Sequence, residues 1–240
     1  NAVLGRANRL LASRVNRIAT SFERSRGLPE ESNGKIVCAG MPVRPEIVTK
    51  RGAPYSALRD DAKINVLVIG GSQGARVFSD VVPSAIVKLD SRWRERLVIT
   101  QQCRPEDLEA VRGIYKNLGV TAELSTFFSD VPERLATTQL LIGRAGASTV
   151  AEITTVGRPA ILVPYPYAID DHQTANAEAV DETGGGWLMP ESSFTPDVLV
   201  ERLNALFGYP AALEGAAACS LAAGRPHAAQ SFADLVCETM

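Results

Sequence analysis

The sequence predicts an α/β fold with a doubly wound, Rossmann-like parallel sheet. Short runs of continuously apolar, β-branched residues recur from Lys63 onward, and helical patterns separate them. Strands that are apolar throughout are typical of a parallel sheet covered by helices on both faces. Loops of small residues follow two of these runs, and such sheets bind ligands outside the carboxyl ends of their strands.

Each element of the predicted sheet rests on its own stretch of sequence. Strands are predicted at residues 64–70, 96–100, 120–124, 139–143 and 159–164. Helices are predicted at residues 75–89, 105–118, 130–136, 146–157 and 172–182. After "GGGWLMP" (184–190) the patterns are only helical, within residues 195–207, 210–222 and 225–240. The sheet is therefore expected to end before a helical tail.

Residues 1–42 do not follow this alternation. The stretch "RANRLLASRVNR" (6–17) predicts an amphipathic helix with Leu10, Leu11, Val15 and Ile18 inward. Its basic face is either solvated or in contact with an anionic membrane surface. Strands are predicted within "RIATSF" and "KIVCAG".

Composition and charge exclude several classes of protein. The length of 240 residues is enough for one large or two small domains, and the hydrophobic content of 45% is enough for a core. A net charge of -2, with scattered Lys and Arg, argues against nucleic acid as a partner. The four cysteines form no CxxC pair, which favours a reducing cytosol over a zinc or disulfide framework. The sequence shows no signal peptide. Because the chain begins at Asn1, it is expected to be a piece of a longer protein.

The loop "IGGSQGAR" lies between a predicted strand and a predicted helix. Its backbone N–H groups and the positive end of the helix dipole suit a phosphate, although a tight turn would also need glycine. A P-loop would require a Gly-Lys-Ser/Thr sequence, which is missing here. A dinucleotide fingerprint would require G-x-G-x-x-G and a later acidic residue, whereas the second strand ends in Gln101 and Gln102.

The loop "GRAGASTVAEI" (143–153) permits two interpretations. Thr149 and Glu152 have the spacing of a capping box, in which their side chains satisfy two N–H groups of the first helical turn. If the helix instead points its N-terminus at the crevice, two helix ends converge on one anion and accommodate a diphosphate without a metal. Glu152 then lies near a ribose, because a carboxylate can accept hydrogen bonds from two vicinal hydroxyls.

A third cluster, "PYAIDDHQTANA", joins a polar loop to a helix. Asp170 or Asp171 is a candidate helix cap. His172 beside these two acids offers too few oxygen ligands for a hard metal ion, so no metal is predicted. Polar side chains that bind sugar hydroxyls fit the cluster better.

Six segments in collinear order resemble the MurG family of glycosyltransferases. They are "NAVLGRANRLL", "GMPVRPEI", "GGSQGA", "RAGASTVAE", "GRPAILVPYP" and "DDHQTANA", and together they span nearly the whole chain. The resemblance implies a GT-B fold, in which the C-terminal Rossmann-like half binds UDP-N-acetylglucosamine (UDP-GlcNAc). It implies a remnant of the N-terminal acceptor domain at 1–42, the donor domain at 43–224, and a helix at 225–240 that packs back on the N-terminal domain.

The resemblance also implies an activity. It is the inverting transfer of GlcNAc to the C4 hydroxyl of MurNAc in lipid I (undecaprenyl-pyrophosphoryl-MurNAc-pentapeptide), which makes lipid II without a cofactor. This step belongs to peptidoglycan synthesis, and through cell wall biogenesis it affects cell shape, the cell cycle and cell division. The expected place is the cytoplasm. Peripheral association with the inner face of the cell membrane is expected through the part of the N-terminal domain that these residues do not include.

Matching the motifs assigns donor contacts to particular residues. Ser72 is expected at the phosphates and Glu152 at the ribose. The backbone N–H groups of Ala147, Ser148 and Thr149 are expected at the diphosphate.

The remaining assignments concern the base and the sugar. Phe128 falls in the loop expected to bind uracil, largely through its backbone. Gln173, with His172 and Asn176, is expected at the GlcNAc hydroxyls. Arg44 is expected to approach the phosphates.

The sequence departs from the family pattern in three places. Met41 stands where Asn is more common, and His172 stands where Gln is more common. The glycine-rich "GGTGGH"-type motif, which carries the family's proposed base, does not occur in these residues, so the catalytic residue is unassigned. Asn1, in the first of the quoted segments, completes the predicted substrate-binding set.

Three other functions remain open. The chain is compatible with a non-catalytic nucleotide-sugar-binding subunit of a two-chain enzyme. It is also compatible with another UDP-sugar enzyme of the same fold, such as an epimerase or a diacylglycerol glycosyltransferase. A nicotinamide oxidoreductase is disfavoured by the missing ribose-binding acid.

Overall fold

The computed structural model describes residues 1–32, 34–59, 62–71 and 75–239. In chain order its helices and strands are α1 (Arg6–Leu11), β1 (Ile18–Thr20), β2 (Ile36–Cys38), α2 (Pro45–Thr49), β3 (Ile64–Ile69), α3 (Arg76–Lys88), α4 (Ser91–Arg94), β4 (Leu97–Gln102), α5 (Leu108–Asn117), β5 (Thr121–Ser125), α6 (Val131–Thr137), β6 (Leu140–Gly143), α7 (Ala147–Val156), β7 (Ala160–Leu162), α8 (His172–Asp181), β8 (Gly186–Leu188), α9 (Pro196–Gly208), α10 (Pro210–Ala223) and α11 (Ala228–Cys237).

Six strands form one parallel sheet in the order β5-β4-β3-β6-β7-β8. This is the strand order of the Rossmann fold, and its direction reverses between β3 and β6. The predicted doubly wound sheet is therefore confirmed. In open sheets of this strand order, ligands bind in the crevice at the point of reversal.

Helices bury both faces of the sheet, which explains why its strands are apolar throughout. Val66, Leu67 and Val68 are consecutive in β3 and all are buried. Val66 and Val68 pack in the larger core, with residues of α3, α5 and α9. Leu67 packs in a second core with residues of α7 and α8. Two buried faces leave no place for the polar alternation of a half-exposed strand.

The predicted elements of the sheet are confirmed with small shifts of their ends, but the sequence missed β8. This strand has three residues and follows a run of glycines, so it carries no strand pattern of its own. A Cβ on Gly186 would lie 2.5 Å from the carbonyl oxygen of Ala160, the residue it pairs with in β7. Glycine therefore permits the close approach that adds the last strand. The short helices α2 and α4 were not predicted either.

The predicted amphipathic helix at residues 6–17 is wrong in its length and in its buried face. The α-helix ends at Leu11, and a 3-10 turn then leads to an extended residue, Val15. Leu10 is 78% exposed and Leu11 51% exposed, whereas Ile18 is buried as part of β1. The small core of this segment is built on Leu4, Ala12 and Ile18, so the chain buries the side that carries Ala12.

Residues 1–42 form a small unit against one end of the sheet domain. Strands β1 and β2 pair in parallel as a separate two-stranded sheet, as the two predicted strands suggested. Helix α11 lies beside this unit, since a Cβ on Gly40 would meet the Cβ of Ala228 at 3.0 Å. None of the helices in the described part of the chain has the length and apolar character that crossing a bilayer requires.

Candidate functional site

The carboxyl ends of β3 and β6 lie side by side at the topological switch point. Ile69, the last residue of β3, is the register partner of Gly143, the last residue of β6. The backbone N–H of Arg144 donates to the carbonyl oxygen of Ile69 at 3.3 Å. The two glycine-containing loops predicted to bind an anion therefore leave the sheet next to each other. In open α/β sheets this crevice is the usual ligand site.

Helix α7 presents an uncapped N-terminus to this crevice. Its N-cap is Gly146, whose carbonyl accepts from Val150 N–H at 2.9 Å and which has no capping side chain. Among the described residues, none accepts a hydrogen bond from the backbone N–H of Ala147, Ser148 or Thr149. Such N–H groups, together with the helix dipole, attract an anion.

The predicted capping box is wrong. It required Thr149 at the N-cap, but the helix begins two residues earlier, at Ala147. Because glycine at 146 already adopts the extended N-cap conformation, Thr149 lies in the first turn. The Glu152 carboxylate turns to another partner, Arg44, whose Nη2 donates to Oε1 at 3.3 Å.

The Glu152 side chain is partly buried on α7. It retains 19% of its exposure, compared with 50% for Arg44 on the segment before α2. Burial raises the pKa of the Glu152 carboxyl, and the nearby Arg44 guanidinium partly opposes that rise. The site therefore holds a carboxylate that water solvates poorly and that can accept further hydrogen bonds.

The loop after β3 is described for Gly70 and Gly71, and the predicted residue Ser72 lies outside the described residues. Gly71 has φ +86°, a left-handed conformation that favours glycine. Gln102, at the end of β4, accepts from Gly70 N–H at 3.1 Å and donates to the Gly71 carbonyl at 2.9 Å. From the sequence alone, Gln102 indicated only that the acidic residue of a dinucleotide-binding site is missing.

The loop after β5 carries Phe128. Its ring is buried and stacks against the guanidinium of Arg134, whose Cζ atom is 4.3 Å from the ring centroid. Arg134 also pairs with Glu123 and Asp130, each at 2.7 Å. The Phe128 side chain is thus occupied within the protein, whereas the neighbouring Phe127 is 71% exposed.

The loop after β7 leads into α8 through a strained turn. Asp170 and Asp171 both have positive φ values, 54° and 51°. The Asp171 carboxylate accepts from the Thr174 hydroxyl at 2.6 Å rather than from a backbone N–H. Asp171 is therefore the N-cap by position, without a capping hydrogen bond to the backbone. Non-glycine residues with positive φ are held in place by their surroundings and are frequent at binding sites.

The next two residues of this segment, His172 and Gln173, start α8. His172 Nδ1 lies 2.7 Å from the Ile169 carbonyl, so it is the nitrogen that carries the proton and donates. In the neutral ring, Nε2 then remains as an acceptor. Gln173 Oε1 accepts from Tyr165 N–H at 3.0 Å, which holds the end of the β7 loop over α8.

Asn176 is occupied by contacts within the protein. It is fully buried, and its Oδ1 accepts from Ala2 N–H at 2.7 Å. Its Nδ2 donates to the Ala145 carbonyl at 2.9 Å and to Asn1 Oδ1 at 3.2 Å. The amide therefore joins the N-terminal segment to the loop after β6, and its contact with the sugar stays a prediction. Asn1 is exposed beside it.

Sequence reasoning also missed Arg144, the second residue of "GRAGAS". Its Nη1 donates to the carbonyls of Val163 and Pro164 at 3.2 and 3.0 Å, and it pairs with Glu191 at 2.5 Å. Arg144 thereby ties the loop after β6 to the loop after β7. Only its position inside a recognised motif could have drawn attention to it, because its partners are distant in sequence.

A cavity of about 660 Å³ opens beside the first turn of α7. Its lining includes Phe22 and Met41 from the N-terminal segment, and Ala147, Val150 and Thr154 from α7. Within the described residues, no group of three or more His, Cys, Asp and Glu side chains is arranged to hold a metal ion.

Comparison with known proteins gives the family. The model of the glycosyltransferase family 28 C-terminal domain matches residues 65–235. The chain belongs to glycosyltransferase family 28. The family 28 domain includes β3 from its second residue, the rest of the six-stranded sheet, and most of α11. Both glycine-containing loops lie inside it.

Two curated relatives carry one name, UDP-N-acetylglucosamine–N-acetylmuramyl-(pentapeptide) pyrophosphoryl-undecaprenol N-acetylglucosamine transferase. The relative from Paramagnetospirillum magneticum is 56% identical over 98% of this chain and 64% of its own length. The relative from Rhodospirillum rubrum is 55% identical over 100% of this chain and 61% of its own length. The chain thus spans less than two thirds of either family 28 relative.

A solved structure agrees with the fold of this family 28 chain. The crystal structure of Acinetobacter baumannii MurG matches with a TM-score of 0.83 at 29% identity. The match covers 99% of this chain and 65% of that one. The resemblance to the MurG family therefore extends from the motifs to the backbone.

Proposed function

We propose that this chain binds UDP-GlcNAc in the crevice between the loops after β3 and β6. One observation carries the proposal: the adjacent ends of β3 and β6, where an uncapped α7 N-terminus meets a glycine-containing loop. The names of the relatives supply the nucleotide sugar.

The diphosphate is held by backbone groups. The N–H groups of Ala147, Ser148 and Thr149 donate to its oxygens, and Ser72 contributes from the other loop. Arg44, half exposed at its end of the Glu152 ion pair, has the charge and the freedom to approach the phosphates. Fixed N–H donors need no metal to balance the anion.

The nucleoside and the sugar lie on either side of the diphosphate. The Glu152 carboxylate accepts from the ribose hydroxyls, and the backbone near Phe128 binds uracil. His172 Nε2 and the Gln173 amide bind the GlcNAc hydroxyls. Asn1, whose Oδ1 accepts from Asn176 Nδ2 at 3.2 Å, completes the substrate-binding set. Asn176 takes part through its hydrogen bond to Ala145, at the loop that precedes α7.

The reaction is an inverting displacement on the anomeric carbon of GlcNAc. The C4 hydroxyl of MurNAc in lipid I attacks that carbon, the bond to the β-phosphate breaks, and UDP leaves as lipid II forms. Negative charge grows on the departing diphosphate, so donors fixed at α7 stabilise the transition state more than the ground state. One such donor is worth about 2.7–4 kcal/mol. The general base that takes the hydroxyl proton is unassigned.

We place this activity in the cytoplasm, at the inner face of the cell membrane. In the described residues, α1 exposes Leu10 and Leu11 beside Arg6 and Arg9. Apolar side chains flanked by cations favour an anionic membrane surface. The division of the chain remains part of this proposal: a remnant of the acceptor domain at 1–42, the donor domain at 43–224, and a helix at 225–240 that packs back on the N-terminal domain.

Donor binding is tested by thermal unfolding with UDP-GlcNAc and UDP-glucose at matched concentrations. A ligand at a hundredfold excess over its dissociation constant stabilises by about 2.7 kcal/mol. UDP-GlcNAc is expected to raise the melting temperature by several degrees and UDP-glucose by less. Equal shifts would contradict GlcNAc specificity, and no shift with either would contradict the donor site.

Transfer is tested by product analysis with lipid I and diacylglycerol as competing acceptors. Formation of lipid II alone is expected. Glycosylated diacylglycerol would assign the chain to another UDP-sugar transferase of this fold. Donor binding that becomes active only with a separate acceptor-binding protein would identify a subunit of a two-chain enzyme.

A further inference from the structure

A buried glutamine connects two loops that the proposed donor site requires. Gln102 ends β4, which lies between β3 and β5 in the sheet, and the residue is 6% exposed. Its Oε1 accepts from Gly70 N–H at 3.1 Å. Its Nε2 donates to the carbonyls of Gly71 at 2.9 Å and Thr126 at 3.1 Å. One side chain thereby bonds the backbones of the loops after β3 and β5.

These bonds act where the sheet can no longer hold the chain. Past the strand ends, backbone groups lose their ladder partners and need hydrogen-bond partners from elsewhere. Gln102 holds both the N–H of Gly70 and the carbonyl of Gly71. Gly71 has a φ of +86°, and a glycine backbone can adopt many other conformations. The hydrogen bond from Gln102 therefore helps to hold Gly71 in this one.

We infer that Gln102 is a positioning residue for the nucleotide sugar: it fixes the phosphate-side loop after β3 relative to the base-side loop after β5. This inference rests on the proposed function, which places the diphosphate at the first loop and uracil at the second. The two loops contact opposite ends of the UDP group, so their relative position determines whether both ends bind together. Holding them before the ligand arrives removes part of the cost of ordering them.

The geometry requires an amide at this position. An amide provides one acceptor and two donors at once, which is what Gly70, Gly71 and Thr126 need. A glutamate of the same shape keeps the acceptor but places a carboxylate oxygen against two carbonyl oxygens. A methionine of similar length removes all three hydrogen bonds without adding charge.

Gln139 offers a matched control elsewhere in the sheet. It is also 6% exposed, and its Oε1 accepts from Asn65 N–H at 2.7 Å. Its Nε2 donates to the Ser56 carbonyl at 3.4 Å. It precedes β6 and therefore lies at the amino ends of the strands, away from the crevice. A glutamate there causes the same kind of damage without touching either loop.

The experiment compares the dissociation constant for UDP-GlcNAc of the unaltered chain with those of Q102E, Q102M and Q139E. Calorimetry is run well below each variant's unfolding transition, so that a loss of stability alone does not change the affinity. Q102E loses the two hydrogen bonds that the amide donates, and Q102M loses all three. Binding at least about tenfold weaker is therefore expected for both variants. Binding within about twofold of the unaltered chain is expected for Q139E.

The outcomes separate this inference from the proposed function. If the unaltered chain and Q102M bind UDP-GlcNAc equally, the inference is wrong and the donor site stands. If Q139E weakens binding as much as the Gln102 variants do, their effect is general damage and the inference is wrong. If the unaltered chain does not bind, the proposed function fails and the inference fails with it. Q102M replaces Q102E in each comparison if the carboxylate prevents folding.

Discussion

At the residue scale, Glu152 can be tested for a role in ligand binding as opposed to helix capping. Its carboxylate contacts Arg44 across the surface of α7 and caps no helix. Replacing Glu152 with alanine should weaken UDP-GlcNAc binding about ten- to a hundredfold, because hydrogen bonds to a charged group are worth about 1.5–3 kcal/mol. Calorimetric titration measures this change. The control is Glu133→Ala on α6, which removes a glutamate that pairs with Lys50. This variant should keep the affinity for UDP-GlcNAc.

The protonation of Glu152 gives a second prediction. Burial raises the pKa of this carboxyl, so it takes up a proton at a higher pH than an ordinary glutamate. Ribose hydroxyls bind the charged form better, so affinity should be full above that pKa and fall as the pH drops through it. Titrations with UDP-GlcNAc from about pH 8 down to about pH 5 measure the fall. Glu152→Gln, which does not titrate, should show a flatter profile, and an identical profile would contradict the role of Glu152.

Sequence reasoning found site residues that lie in local motifs and missed those that act at a distance. The first turn of α7 was recognisable because a loop of small residues precedes a helical pattern at residues 143–153. Gln102 and Arg144 were not, because their partners lie on neighbouring strands whose order the sequence does not state. The contacts of Asn176 were unpredictable for the same reason, since its burial depends on a segment 174 residues away.

At the element scale, Arg158 shows how one buried cation can fix the ends of several elements. It follows α7, is 1% exposed, and its Nε donates to the Leu135 carbonyl at 2.8 Å. Its Nη2 donates to the carbonyl of Ala136 at 2.6 Å, at the end of α6, and to that of Ala53 at 3.2 Å. The arginine thus satisfies carbonyls that α6 cannot satisfy itself and binds the linker that leads into β3.

Arg158→Met should therefore destabilise the protein by about 3–5 kcal/mol, because it leaves several buried carbonyls without a donor. Urea unfolding followed by circular dichroism measures the loss. Arg112→Met removes an exposed arginine paired with Glu109 on α5 and should change stability by less than about 0.5 kcal/mol. Equal losses in the two variants would show that the buried network contributes little.

Elements were predictable where a pattern extends over many residues. The strands β3 and β4 have six residues each, and the helix α3 has 13. β8 has three residues, and it is a strand because β7 offers it an edge. The prediction of a long N-terminal helix was wrong although its amphipathic pattern was clear. The core beneath this segment, built on Leu4, Ala12 and Ile18, is too small to bury the apolar face of such a helix.

At the scale of the whole molecule, side chains tie the loops at the carboxyl edge of the sheet to one another. Gln102 joins the loops after β3 and β5, Arg144 joins those after β6 and β7, and Asn176 joins the loop after β6 to the N-terminal segment. The crevice is thus held on a polar frame rather than on an apolar core. A site built in this way keeps its shape while its N–H groups stay free for a ligand.

This frame predicts that Asn176 controls how firmly residues 1–26 dock on the sheet domain. Asn176→Ala removes the bonds to Ala2 and Ala145, whereas the surface ion pairs that remain are individually weak. Hydrogen exchange should speed up at the Leu4 and Arg26 amides, whose bridge depends on the docked segment, and stay slow in β3 and β6. Glu178→Gln removes only the ion pair to Arg26 and should leave exchange nearly unchanged. Uniform acceleration across the sheet in Asn176→Ala would contradict local undocking, because the amide would then support the whole fold rather than one joint.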